Sequence, residues 1–154
     1  RNIAKGSGRW IDLHRFTNKE TASSDCLNHL REKGYKLVAT SPHAHAYTPE
    51  SLPIDEPIAL IFGTERRGLT ESILANADYH LAIPMYGFTE SFNLSVSVAI
   101  ILQTLRNRLE NAEFPWKLSI EEQHALQIIW STRILNGGEA LEKQFRTAHL
   151  EKEF

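Results

Sequence analysis

The stretch Pro57-Ile-Ala-Leu-Ile-Phe62 is a continuous apolar run that stops at a glycine, Gly63. A strand with one wet face alternates in polarity; a run without alternation suits a strand covered on both faces, as in a parallel sheet flanked by helices. Open parallel sheets bind ligands beyond the ends of such strands. Gly63 and Gly68 fall there and let the backbone turn tightly and approach a ligand closely. A second run, Tyr79-His-Leu-Ala-Ile83, ends at Pro84, which cannot donate to a ladder and marks the exit from the sheet. Leu94, Val98, Ile101, Leu102, Leu105 and Leu109 then repeat at helical spacing. Ser91 and Asn93 stand at the beginning of that helix, where side chains cap and free amides accept partial negative charge.

Upstream, a helix is expected over Thr21–Lys33, with Ala22, Cys26, Leu27 and Leu30 on one face and Gly34 where a left-handed residue is wanted. Tyr35–Thr40 reads as the next strand, and Trp10–Phe16 alternates like a short one. Pro42–Glu56 holds three prolines and no periodicity, so a loop or irregular crossover is expected. Thr70 caps a short helix through Ala77. Strands alternating with helices argue for an α/β class with a mainly parallel sheet flanked by helices. Past Glu110, Pro115 and Trp116 punctuate a linker, and Ser119-Ile-Glu-Glu122 is a capping-box signature opening a helix to Leu135. Asn136-Gly-Gly138 breaks it, and an amphipathic piece with Leu141, Phe145 and Ala148 follows. Residues 1–110 and 111–154 therefore read as a domain and a helical extension. The apolar content of the extension implies packing on the domain or on a second subunit.

A chain of 154 residues, 42% hydrophobic, can bury one proper core. One cysteine, Cys26, permits no internal disulfide; with no apolar run of bilayer length and no signal pattern, a soluble cytoplasmic protein is expected. A net charge of −2 gives no global pull toward nucleic acid, so any nucleic-acid surface has to be local. Arg1, Lys5 and Arg9, interleaved with Gly6 and Gly8, read either as such a patch or as a solvated loop. His43 and His45 lie two apart, without a third ligand, and read as surface residues.

The two loops together resemble the second and third signatures of the SpoU branch of the SPOUT RNA methyltransferases, the TrmH-like tRNA (guanosine-2'-O)-methyltransferases. Gly63-Thr-Glu65-Arg-Arg-Gly68 matches the family's glycine-glutamate-glycine loop. Ile83-Pro-Met85 followed by Ser91-Phe92-Asn93-Leu94-Ser95 matches its closing motif, with Phe92 where leucine is more usual. Two motifs at the expected separation are specific where either alone is weak. The resemblance covers residues 1–110, more loosely the tail. It implies a trefoil knot formed as the C-terminal segment threads an earlier loop, which periodicity could not have suggested because knots break the usual topology rule. It also implies a homodimer, with the helix after Asn93 at the interface. The family's first motif, with its asparagine and arginine, has no counterpart here, and the expectation is a chain without the N-terminal part of its domain.

The chain carries neither a G-x-x-x-x-G-K-[ST] loop nor a G-x-G-x-x-G after a strand, so nucleotide triphosphates and dinucleotides lack their usual cradle. S-adenosylmethionine has no phosphates and needs none. By resemblance Thr40, Gly63, Ile83, Met85, Phe92 and Leu94 line its pocket, while Glu65, Ser91 and Asn93 hold the site and substrate in order. The implied reaction is methyl transfer to a ribose 2'-hydroxyl without a metal. The guanosine at tRNA position 18 is the first expectation and ribosomal RNA the second. Two other readings stand beside it: an RNA-binding homologue without catalysis, and an unrelated small-molecule binder of α/β class.

Overall fold

The computed structural model describes residues 7–42, 46–89 and 91–149. Residues 16–116 form one compact unit, and residues 1–15 with 117–154 form a second. This division by contacts differs from the 1–110 and 111–154 read from the sequence.

The first unit is built on three parallel strands in the order β2-β1-β3: β1 is Lys36–Thr40, β2 Ile58–Ile61 and β3 Tyr79–Leu81. Lys36 stands opposite Ile58, and Val38 opposite Tyr79. Three helices complete the unit's regular structure, α1 (Ala22–Glu32), α2 (Glu71–Asn76) and α3 (Leu94–Glu110); α4 (Ile120–Ile134) belongs to the second unit. The apolar run at 58–61 is only half-buried because β2 lies at an edge, whereas Leu37, Val38 and Ala39 of central β1 are fully buried. β1 therefore carries the two-sided burial expected of β2.

Why α3 docks is visible in its spacing. Ile101 and Leu105, one turn apart, reach the same cluster as Val38, Leu52 and Leu81, and Ile58, Leu60, Phe62 and Tyr79 pack around it. Leu37 and Ala39 point to the other face of the sheet by strand alternation. The buried Leu27 of α1 adds to the core. Asp78 closes the entry to β3: its carboxylate accepts from the Leu37 amide at 2.7 Å, and its own amide donates to the Leu37 carbonyl at 2.9 Å.

The segment between β1 and β2 has no helix or strand among its described residues, as expected, yet it is held firmly. Tyr47 donates its amide to the His80 carbonyl at 2.8 Å and accepts from the Ala82 amide at 2.9 Å, running beside β3. The Arg108 guanidinium donates to the Pro49 carbonyl at 2.8 Å, and Pro49 and Leu52 are fully buried.

In the second unit, Ser119 caps α4 with the full reciprocal capping box anticipated from the sequence. The turn into α5 (Gly138–His149) is close enough that a Cβ on Gly138 would stand 2.3 Å from the Thr132 carbonyl oxygen. Trp10 and Trp130 meet edge to face at 5.3 Å. Residues 7–10 form a short 3-10 helix and 12–18 are irregular, so the strand expected at Trp10–Phe16 is absent. Alternation alone does not make a strand without a ladder partner, and Ile11 and Leu13 are left exposed.

Candidate functional site

All three strands point their C-terminal ends at one place. Chain direction across the sheet reverses here, since β1 is followed by a neighbour on one side and β2 by a strand on the other. Such switch points leave a crevice beyond the strand ends. A cavity of about 420 Å³ lies there, a size suited to a small-molecule ligand.

The first lip is the loop after β2. The Thr64 amide donates to the Gly68 carbonyl at 3.1 Å and the Gly68 amide returns to the Thr64 carbonyl at 2.8 Å, so the loop closes on itself. Gly68 sits at φ +64°, a conformation that favours glycine. Gly63 is needed for another reason: a Cβ there would lie 2.1 Å from the Gly68 carbonyl carbon. Both glycines are thus structurally required, and the closed loop presents Glu65, Arg66 and Arg67 to solvent.

The second lip is the segment from Ile83 to the start of α3. Asn93 is the N-cap of α3, its Oδ1 accepting from the Ser95 amide at 2.9 Å. Because that oxygen must face the amide, the Nδ2 end is turned outward, and it donates to Glu65 Oε1 at 3.0 Å. One amide side chain therefore ties the two lips together across 28 residues of sequence.

Of the residues singled out from the sequence, Thr40, Gly63, Ile83, Met85, Phe92 and Leu94 all line the cavity, as do Glu65 and Ser91. Asn93 does not; it joins the lips through its bond to Glu65. Thr40 also donates its hydroxyl to the Ile61 carbonyl at 2.9 Å, which fixes the end of β1 against β2. Arg1 and Lys5 lie outside the described residues, as do the Arg9 side chain and the pair His43 and His45. Among the described residues no group of three or more His, Cys, Asp or Glu side chains could hold a metal ion, and no helix is long and apolar enough to cross a membrane.

Sequence reasoning missed several walls of the cavity. Ser97 lines it with Leu94 and Ile101, at helical spacings of three and four residues. Counting only apolar members of the repeat hid it. Arg66 and Arg67 also border the cavity, and neither joins an ion pair among the described residues.

Residues 1–103 match the family described as the SpoU rRNA Methylase family. The chain belongs to that family. This SpoU-family chain is 34% identical over 141 residues to the tRNA (guanosine(18)-2'-O)-methyltransferase of Borreliella burgdorferi, an alignment covering 92% of the chain and 63% of the relative. It spans less than two thirds of that relative's length. Among solved structures, the A. aeolicus TrmH/SpoU tRNA modifying enzyme matches with a TM-score of 0.66 at 29% identity, over 88% of this chain and 68% of that one. The AdoMet-bound rRNA methyltransferase from Sinorhizobium meliloti matches with a TM-score of 0.52 at 27% identity, over 56% of this SpoU-family chain and 33% of its own.

Proposed function

We propose that the protein transfers a methyl group from S-adenosylmethionine to a ribose 2'-hydroxyl in RNA, with the guanosine at tRNA position 18 as first substrate. The observation that carries this reading is the bond between Asn93 and Glu65, which draws both motif loops onto one cavity at the strand ends. The name of the Borreliella relative points to the same nucleotide, and the Sinorhizobium structure is titled as AdoMet-bound.

The cavity fits such a donor. Its walls combine apolar side chains, Ile83, Met85 and Leu94 among them, with the Thr40 and Ser97 hydroxyls. The close turn at Gly63 brings the backbones of Gly63 and Gly68 together at the cavity wall, where main-chain groups can hold a phosphate-free ligand. When bound, S-adenosylmethionine supplies a methyl on a sulfonium, already a good leaving group. The protein's own work is to align the acceptor and help remove its proton. Thr40, Gly63, Ile83, Met85, Phe92 and Leu94 hold the donor. Glu65 and Ser91 order the acceptor side, and Asn93 keeps the lips in register. Arg1, Lys5 and Arg9 meet RNA phosphates. The same reading carries the trefoil knot, the homodimer joined along α3, and a helical extension from residue 111 onward.

Ribosomal RNA is the second candidate substrate, favoured by the family's description and by the Sinorhizobium enzyme. Full-length protein given radiolabelled donor with bulk tRNA and ribosomal RNA, followed by nucleoside analysis, tests both. A 2'-O-methylguanosine product in tRNA is expected. Label on a base overturns the reaction. Donor binding without transfer to either RNA leaves an RNA-binding homologue without catalysis.

A further inference from the structure

We propose that Tyr86 and Phe88 form a stacking platform for unpaired RNA bases beside the ribose that enters the cavity. This rests on the methyltransferase reading above and adds the residues that grip the RNA next to the target.

Phe88 and Tyr86 are 108% and 91% exposed, more than any other large apolar side chain described; Leu13 follows at 72%. Gly87 lies between them at φ +95°, a conformation that favours glycine. Met85 before the rings and Ser91 after them both line the cavity. Two rings held in water at that position gain nothing from the fold. They gain from a partner that covers them.

The charge around the cavity selects that partner. Arg66 and Arg67 are exposed on the opposing lip, and neither is paired with a carboxylate among the described residues. Aromatic faces beside unpaired cations are the combination that holds single-stranded nucleic acid, the cations following the backbone while bases stack on the rings. Base-paired RNA keeps its base faces buried in the stack, so the site takes bases of a loop or another unpaired segment. An apolar protein surface is a poorer match. The residues between and beyond the rings, Gly87, Thr89, Glu90 and Ser91, are small or polar and give no continuous apolar face.

The test uses full-length protein, bulk tRNA and an unstructured 12-nucleotide RNA, with binding read by fluorescence anisotropy and methyl transfer by steady-state kinetics. Tyr86→Ala and Phe88→Ala are each expected to weaken binding of both RNAs about tenfold. KM for tRNA should rise in step, with kcat and the calorimetric donor affinity within about twofold. Tyr86→Phe and Phe88→Tyr keep the rings and should restore binding. Phe88→Trp should show quenched fluorescence when the 12-nucleotide RNA is added. Unchanged RNA affinity and KM in the alanine variants, with the wild type active, overturns the platform and leaves the methyltransferase reading standing. Alanine variants that sediment as monomers where the wild type is a dimer place a second copy on the rings and also overturn it. A wild type that binds RNA but transfers no methyl removes the reaction, and the anisotropy series then decides the platform alone. A wild type that binds neither RNA nor donor overturns both.

Discussion

Asn93 uses both ends of its side chain, and the two uses can be separated by substitution. Asn93→Asp keeps an oxygen for the Ser95 amide but turns a second carboxylate toward Glu65. Helix stability should hold to within about 1 kcal/mol, while calorimetric affinity for S-adenosylmethionine falls about tenfold. Adding Glu65→Gln restores a donor and acceptor with reversed polarity and should recover most of that loss, a coupling that a double-mutant cycle reads directly. The loop's two glycines differ in kind. Gly68→Ala meets no neighbouring atom and is penalised only through its positive φ, at a cost of about 1–2 kcal/mol. Gly63→Ala drives a methyl into the backbone of Gly68 and Leu69, and should cost about 1–3 kcal/mol or more. Thermal unfolding measured for both variants checks the order. Of the residues here, the motif letters of the two lips were legible in the sequence. The bond joining them was not, because spacing along a chain carries no distance between loops 28 residues apart.

Among elements, α3 couples the site to the core. Asn93 is its N-cap, its first turn lines the cavity through Leu94 and Ser97, and further along Ile101 and Leu105 reach the buried cluster. Ile101→Ala should cost about 2–5 kcal/mol in denaturant unfolding and weaken donor binding as well, since Ile101 borders the cavity. Helical periodicity revealed this element and, through Ile101 and Leu105, its inward face, though Leu102 of the same repeat is 52% exposed. The capping box gave α4, since Ser119 and Glu122 spell out the cap in four letters. The strands were harder. Apolar content marked 57–62 as the most covered, but coverage depends on position in the sheet, and the central place went to Lys36–Thr40. The run at Trp10–Phe16 had the alternation of a strand and no partner to pair with. Leu52 showed no signal at all, because a single leucine between prolines belongs to no period.

At the scale of the whole molecule, the candidate site lies within the unit formed by residues 16–116. Hydrogen exchange with saturating S-adenosylmethionine should therefore raise protection in residues 40–42, 63–69 and 83–97 and leave α4 and α5 unchanged. Equal protection gained in the two C-terminal helices would move the donor elsewhere. Within that unit, the stretch from Tyr47 to Leu52 has neither helix nor strand, yet its backbone pairs with β3, Arg108 grips its Pro49 carbonyl, and Leu52 is fully buried. Irregular is not loose. A protease that samples frayed segments should find no early cut there, and a library that varies this stretch as freely as a surface loop should return mostly misfolded clones.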